Sequence, residues 1–399
     1  MAERPWLTVI GLGEDGPDGL PPASRHVLDA AQVVMGPPRH LSLLPEGPAE
    51  RVEWPVPFSD GLPLLEALRG KRIVVLASGD PFWFGVGSVI ARHFTPEDWT
   101  ALPGQSTFSL AASRLAWPLE KVLTFGLHAA PLTRLRPYLA PGMRALVLLR
   151  DGTAVRDLAA WLMDSGFGES RLHVLEALGG PRERHRETTA EALAYDDIQH
   201  PVCVGLEAHG DGRVLPRASG LPDDAFESEG QITKRPIRAL TLSALAPKPC
   251  EHLWDIGGGS GSVGIEWLLS DESLTATSIE PRADRAARIL RNADALGVDR
   301  LNVVQGEAPG ALAGLPMPNA VFVGGGLSTA LLEWLKAYLP SGTRLVANAV
   351  TLESEALLAV WHKTLGGDLL RIELANAAPL GPRRGWKAAY PVVQWSVTF

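Results

Sequence analysis

The sequence predicts an α/β protein made of two domains. Apolar, β-branched runs that end in or near glycine alternate with segments of helical periodicity, as expected for strands of mostly parallel sheets. The 399 residues exceed what a single hydrophobic core usually organises. Midway, a stretch rich in Gly, Pro and Asp (Ala208–Pro216, then Leu221-Pro-Asp-Asp) breaks the periodicity, and a new strand–helix series begins after it. The boundary is placed near residue 215, giving domains 1–214 and 215–399.

In the first half, strands are expected at Leu7–Gly11, Arg72–Gly79, Arg144–Leu149, Arg171–Glu176 and Pro201–Gly205, with helices at Ser24–Ala31, Val86–Phe94 and Thr107–Trp117. In the second half, Ile232–Leu245 reads as a helix with Arg and Lys on one side. Strand Leu253–Gly257, helix Ser262–Leu269, strand Ala276–Glu280 and helix Arg282–Leu296 follow, the last with arginines on a solvated face. Leu301–Gln305, Ala320–Val323 and Arg344–Asn348 are further strands, and Trp386–Phe399 contributes one or two antiparallel strands. This is the pattern of a doubly wound sheet of about seven strands.

Composition narrows the function. The net charge is −8, distributed as −7 over residues 1–212 and −1 over the rest, so neither half has the basic excess of a general nucleic-acid binder. A small-molecule enzyme fits better. Two cysteines, Cys203 and Cys250, cannot build a disulfide framework or a four-thiolate zinc site, and no metal is expected. No apolar run reaches the roughly 18 residues a membrane span needs. The opening Met-Ala-Glu-Arg-Pro-Trp lacks a signal-peptide pattern, so a cytoplasmic location is expected.

The strongest local signal is Asp255-Ile-Gly257-Gly-Gly259-Ser-Gly261-Ser-Val-Gly264. Its glycines allow a sharp turn and close approach of a ligand, and the helix after it offers free N–H groups. Glu280, at the end of the next strand, is suited to accept hydrogen bonds from a ribose diol. Three readings fit this loop: a dinucleotide fingerprint, a ligand-free strand–helix turn, and an S-adenosylmethionine site. The wider chain adds Gln231-Ile-Thr233-Lys234-Arg235, Gly306-Glu-Ala-Pro309, Val321–Gly326 and Leu345–Leu352. Together these resemble the C15-methylating, decarboxylating methyltransferases of the corrin pathway over about residues 221–399. The resemblance implies a Rossmann-like class I methyltransferase fold. In it Asp255, Gly257, Gly259 and Gly261 surround the cofactor's amino acid part, Glu280 meets its ribose, Glu307 and Ala308 its adenine edge, and Thr233 closes over it.

The first half carries Val9-Ile-Gly11-Leu-Gly13-Glu-Asp-Gly16, Gly36-Pro-Pro-Arg39-His40, Ala77-Ser-Gly79-Asp80-Pro-Phe82-Trp83-Phe84-Gly85, Pro103-Gly-Gln-Ser106-Thr107 and Leu178-Gly179-Gly-Pro-Arg-Glu183. Each alone is a turn. Together they resemble the C5-methylating corrin branch of the tetrapyrrole methylase superfamily over about residues 6–212. That implies a two-lobed class III methyltransferase fold with cofactor in the cleft. Gly11, Gly13 and Gly179 would line it, Gly79, Asp80 and Phe82 would contact cofactor or substrate, and Ser106 and Thr107 would sit beside the methionine portion.

The whole chain thus resembles the fused C5,15-methylating, decarboxylating enzymes. The resemblance implies methylation of precorrin-6B at C5 and C15 with loss of the C12 acetate carboxyl. It also implies one S-adenosylmethionine per domain, a tetrapyrrole substrate, neither nucleic acid nor membrane as partner, and self-association. The alternative is a class I methyltransferase acting on RNA or protein beside a non-catalytic cofactor-binding domain. No nucleophile–base triad is evident; Asp80 and Glu266 are positioning candidates. Lys234, Arg235, Arg238 and Arg39 are candidates for the substrate's carboxylates, because arginine binds carboxylate bidentately.

Overall fold

The computed structural model describes residues 5–399; residues 1–4, which open the segment read above for a leader, lie outside the described residues. The chain divides into two compact units. One runs to Ala130 and resumes at Ala140–Arg213; the other combines Pro131–Leu139 with Val214–Phe399.

The first unit begins with β1 (Leu7–Leu12), α1 (Pro22–Asp29), β2 (Val33–Gly36), α2 (Pro38–Ser42), β3 (Glu50–Glu53), α3 (Gly61–Ala67), β4 (Ile73–Ser78), α4 (Gly87–His93) and β5 (Trp99–Leu102). These strands form an all-parallel sheet in the order β3-β2-β4-β1-β5. Both faces are covered, as a parallel sheet requires. Leu7, Val9, Met35 and Val75 pack against Leu65 and Ile90 on one side, and Ile10, Val34 and Leu76 pack with Leu28 and Leu41 on the other.

After α5 (Thr107–Leu115) come β6 (Leu123–Gly126), β7 (Arg144–Leu149), α6 (Gly152–Asp164), β8 (Arg171–Glu176), β9 (Arg184–Thr189) and β10 (Val202–Glu207). Their sheet, β6-β7-β10-β8-β9, is parallel only between β6 and β7. The expectation of mostly parallel strands therefore holds for the first sheet and fails for the second. Its edge strand β9, Arg-His-Arg-Glu-Thr-Thr, is half exposed and polar, which an antiparallel edge tolerates and a buried parallel strand does not.

In the second unit α7 (Arg235–Leu245) precedes β11 (His252–Ile256), α8 (Ser262–Ser270), β12 (Thr275–Glu280), α9 (Ala283–Ala295), β13 (Asn302–Gln305), β14 (Ala320–Val323), α10 (Thr329–Tyr338), β15 (Arg344–Ala349) and α11 (Leu352–Leu365). The chain closes with β16 (Asp368–Ile372), β17 (Ala375–Leu380), β18 (Arg383–Ala388) and β19 (Val392–Thr398). The seven-stranded sheet runs β13-β12-β11-β14-β15-β19-β16, with β19 antiparallel to both its neighbours. Strand order reverses between β11 and β14, so ligands are expected beyond the carboxyl ends of these strands. β17 and β18 form a separate two-stranded hairpin. No helix among the described residues is long and apolar enough to cross a membrane.

Candidate active sites in the two units

In the second unit, β11 delivers Asp255 and the glycine loop to the reversal point. Gly257, Gly259 and Gly261 all have positive φ, at 74°, 60° and 75°, a conformation that glycine adopts without steric cost. At Gly257 a side chain is excluded as well, because its Cβ would lie 2.6 Å from the backbone of Gly325 in the loop after β14. Gly261 then begins α8 with no side-chain cap, so the first N–H groups of that helix face the loop.

Two carboxylates organise this crevice. Glu280, 2% exposed at the end of β12, accepts from the Gly259 N–H at 2.9 Å and from the Arg282 N–H at 3.1 Å. Backbone donors thus hold its head beside the glycine loop. Asp255, 1% exposed, accepts from the Gly264 N–H and the Ser278 hydroxyl, each at 3.3 Å. Burial pushes its carboxyl up to about 6. Asp255 therefore ties the end of β11 to α8 and β12. Thr233, half-buried, ends the segment leading into α7, and Glu307 and Ala308 follow β13, the strand beside β12.

Three expectations for this unit are corrected. Arg238 does not face a ligand. Its side chain is fully buried and donates to Glu266 at 2.5 Å, to Asp223 at 3.2 Å and to the carbonyls of Thr233 and Leu221, while it stacks over Phe226. Glu266 is no positioning group for substrate. It accepts from the Gly220 and Leu221 N–H groups at 2.6 and 2.9 Å and from Arg238. Both residues lock the 220–223 segment onto α7 and α8. Lys234 and Arg235 are exposed, with Lys234 3.9 Å from Asp223. The arginine face of α9 is not simply solvated either: the Arg285 and Arg288 side chains are largely buried beside Glu227 and Glu229.

The first unit holds a cavity of about 670 Å³. Gly13, Gly79, Asp80, Ser106, Thr107 and Arg39 line it. Gly11, Phe82 and Gly179 do not. Gly11 is buried in contact distance of the Gly79 carbonyl and Gly104 N–H, where a side chain has no room. Phe82 packs on Trp99. The Gly179 N–H donates to Glu183 at 2.7 Å, which shapes the turn after β8. Ser106 caps α5 by accepting from the Ser109 N–H at 3.0 Å. Asp80 accepts from the Phe82 N–H at 2.8 Å and so sets the turn after β4.

Arg39 is three-quarters buried in the cavity wall. It donates to Glu14, to Ser78 at 2.9 Å and to the His40 Nε2 at 2.8 Å. Arg182 reaches the same Glu14 at 3.1 Å. Burial, reinforced by the Arg39 charge, lowers His40 to about 3, so the imidazole stays neutral and can accept from Arg39. The cavity also shows residues that the motifs did not single out as functional: Glu14, His128, Arg150 and His200. Their signal was absent because each comes from a different loop. Phe84 in the wall has φ +57°, rare for a bulky residue.

The comparisons with known proteins fall on these two units. Residues 7–194 match the family of Tetrapyrrole (Corrin/Porphyrin) Methylases, and residues 224–399 match the Precorrin methyltransferase domain. Along nearly its full length the chain is 51% identical to a precorrin-6Y C(5,15)-methyltransferase [decarboxylating] of Sinorhizobium sp, covering 99% of this chain and 96% of that one. The chain belongs to the precorrin-6Y C(5,15)-methyltransferase (decarboxylating) family. A Mycobacterium tuberculosis (strain CDC 1551 / Oshkosh) protein of the same name is 42% identical over 98% of this chain and 99% of its own. A crystal structure of the C-terminal domain of the Rhodobacter capsulatus precorrin-6Y C5,15-methyltransferase is 56% identical. It covers 46% of this chain and all of that one, with a TM-score of 0.45. Methyltransferases of this C(5,15) family use S-adenosylmethionine as methyl donor. The glycine loop and the 670 Å³ cavity are thus the candidate sites of a decarboxylating C-methyltransferase.

Proposed function

We propose that the chain methylates precorrin-6B, the precorrin-6Y of its relatives' names, at C5 and C15 and removes the carboxyl of the C12 acetate arm. The first domain, 1–214, takes the C5 reaction. The second, 215–399, takes the C15 reaction and the decarboxylation. Each domain binds its own S-adenosylmethionine. The observation that carries this reading is that one chain builds two separate sites of different architecture: the walled cavity of the first unit and the strand-end crevice of the second.

The second site fits that cofactor on its own geometry. A backbone-held carboxylate, Glu280, has lone pairs left for two hydroxyls, and the glycine loop leaves its backbone open to a ligand. When bound, the cofactor supplies an electrophilic methyl on a sulfonium. Gly257, Gly259 and Gly261 flank its amino acid end, Thr233 covers it, and Glu307 and Ala308 take the adenine edge. In the first unit Gly13, Gly79, Asp80, Ser106 and Thr107 are the cofactor residues. The reacting carbon belongs to an electron-rich macrocycle, so the protein's task is positioning and exclusion of water. Arg39 in the cavity, and Lys234 and Arg235 at the second site, meet carboxylate arms; a chain of net charge −8 needs such local cations for an anionic substrate. Trp83, on the cavity wall beside Phe108, offers a face for the macrocycle.

Self-association is part of this reading. The hairpin β17–β18 and the segment after it expose Leu380, Trp386 and Tyr390 by 69%, 80% and 89%. A lone two-stranded ribbon is marginal in water, and a second copy of this chain is the partner we expect there.

The test is incubation of the full chain with S-adenosylmethionine and precorrin-6B, with products followed by mass. Gain of two methyl groups and loss of carbon dioxide is the expected result. No mass change with folded protein overturns the reading.

A further inference from the structure

The segment Glu227–Thr233 runs along the glycine loop of the second unit. The Gln231 carbonyl lies 3.9 Å from the place a Cβ on Gly259 would take. Phe226 and Ile232 anchor its ends in the core. The middle is held by α9. Arg285 donates to Glu229 at 2.7 Å and to Gln231 at 2.6 Å, and Arg291 donates to Glu227 at 2.9 and 2.7 Å. The Arg291–Glu227 pair lies at the surface, where an ion pair contributes little and salt screens it, while the Arg285 side chain is largely buried.

Asn292 makes a different kind of contact. It is 4% exposed, and one side chain satisfies backbone groups of both segments. Its Oδ1 accepts from the Glu227 N–H at 2.8 Å, and its Nδ2 donates to the Glu227 carbonyl at 2.9 Å. The same Nδ2 donates to the Ser260 carbonyl, inside the glycine loop, also at 2.9 Å. Buried bonds of this kind outweigh the exposed ion pairs, because a lost partner leaves a desolvated group unsatisfied.

We propose that Asn292 is a positioning residue for the cofactor of the second unit. It fixes the spacing between the 227–233 segment and the glycine loop, so that Thr233 and the backbone of 257–261 meet one ligand together. The proposal rests on the reading of this crevice as an S-adenosylmethionine site. Asn292→Asp retains the acceptor for the Glu227 N–H. It removes both N–H donors and sets a carboxylate against the carbonyls of Glu227 and Ser260.

The experiment is hydrogen–deuterium exchange of the full chain during titration with S-adenosylhomocysteine. In the unsubstituted protein, peptides covering 227–233 and 257–261 gain protection together. In Asn292→Asp both require on the order of tenfold more ligand, while peptides at 79–84 and 103–110 in the first unit keep their original midpoint. The KM for S-adenosylmethionine in C15 methylation rises similarly with kcat retained. Unchanged midpoints at 257–261 in Asn292→Asp overturn the proposal. If the aspartate disrupts the core, seen as fast exchange in β11–β15 without ligand, Asn292→Ser shortens the side chain without adding charge and is held to the same expectation. Absence of protection at 257–261 in the unsubstituted chain overturns the cofactor reading itself, and the proposal with it.

Discussion

Arg238 and Glu266 form an ion pair at 2.5 Å in which neither side chain reaches solvent: their exposures are 0% and 3%. Such a pair is weak evidence of net stabilisation, but breaking it is costly, because the surviving charge stays buried. Arg238→Ala should destabilise the second unit by about 3–5 kcal/mol. Urea titration read by hydrogen exchange in β11–β15 measures this. Arg238→Met combined with Glu266→Gln removes both charges and keeps an acceptor for one of the Gly220 and Leu221 N–H groups, so it should recover part of the loss. Equal stability of Arg238→Ala and the native chain would contradict the buried pairing.

Glu280 is expected to act on the second site alone. Glu280→Ala removes the acceptor beside Gly259 and should weaken S-adenosylhomocysteine binding there by about 1–3 kcal/mol. C15 methylation at limiting cofactor falls accordingly, while C5 methylation persists. Mass analysis of the products separates the two gains. Unchanged cofactor affinity of the second unit would remove Glu280 from the ribose.

Asp255 predicts a pH dependence. Its carboxyl ionises at about 6 in the fold against 3.8 for the free group, mainly because it is buried. The folded protein therefore binds a proton that the unfolded chain has released, and stability falls as pH rises from about 4 to about 6. Above that window the penalty is complete and flat, on the order of 3 kcal/mol. Asp255→Asn lacks this titration. The stability of the native chain minus that of the variant should decrease across this window, measured by urea unfolding at a series of pH values. A difference independent of pH would show that Asp255 does not titrate there.

Gly79 tests the independence of the sites. Its φ is +50°, and a Cβ there would lie 2.6 Å from the Gln105 carbonyl. Gly79→Val should abolish C5 methylation, because a β-branched residue cannot adopt this conformation without displacing the loop that carries Ser106. C15 methylation and ligand protection at 257–261 should be retained. Loss of both reactions in a folded variant would show that the units do not work separately.

Local chemistry was readable in the sequence, and long-range pairing was not. The loop Asp255–Gly264 is legible because its glycines, its strand and its helix are neighbours along the chain, and Glu280 ends the next strand. In the first parallel sheet β1 and β4 are legible as buried, largely apolar runs, whereas β2, β3 and β5, of four residues each, are too short to show a pattern. β9 escaped because its residues are polar and alternate only weakly, and β16 and β17 because their exposed faces carry no periodicity of a core, while β18 is met only from Trp386 on. The roles of Arg238 and Glu266 were decided by tertiary structure. An arginine on a helix beside a glycine loop looks the same in sequence whether it faces a substrate or a buried glutamate 28 residues away. The segment Pro131–Leu139 makes the same point. It lies within the first half of the sequence yet packs in the second unit, where Arg134 pairs with Asp299 at 2.8 Å and Thr133 donates to Asp294 at 3.0 Å. Sequence alone made the two-part α/β pattern and the glycine loop after β11 legible, because backbone conformation and apolar patterning are local. Which charged side chains are left for a ligand is fixed only when the chain has folded, because burial and pairing depend on residues far apart in sequence.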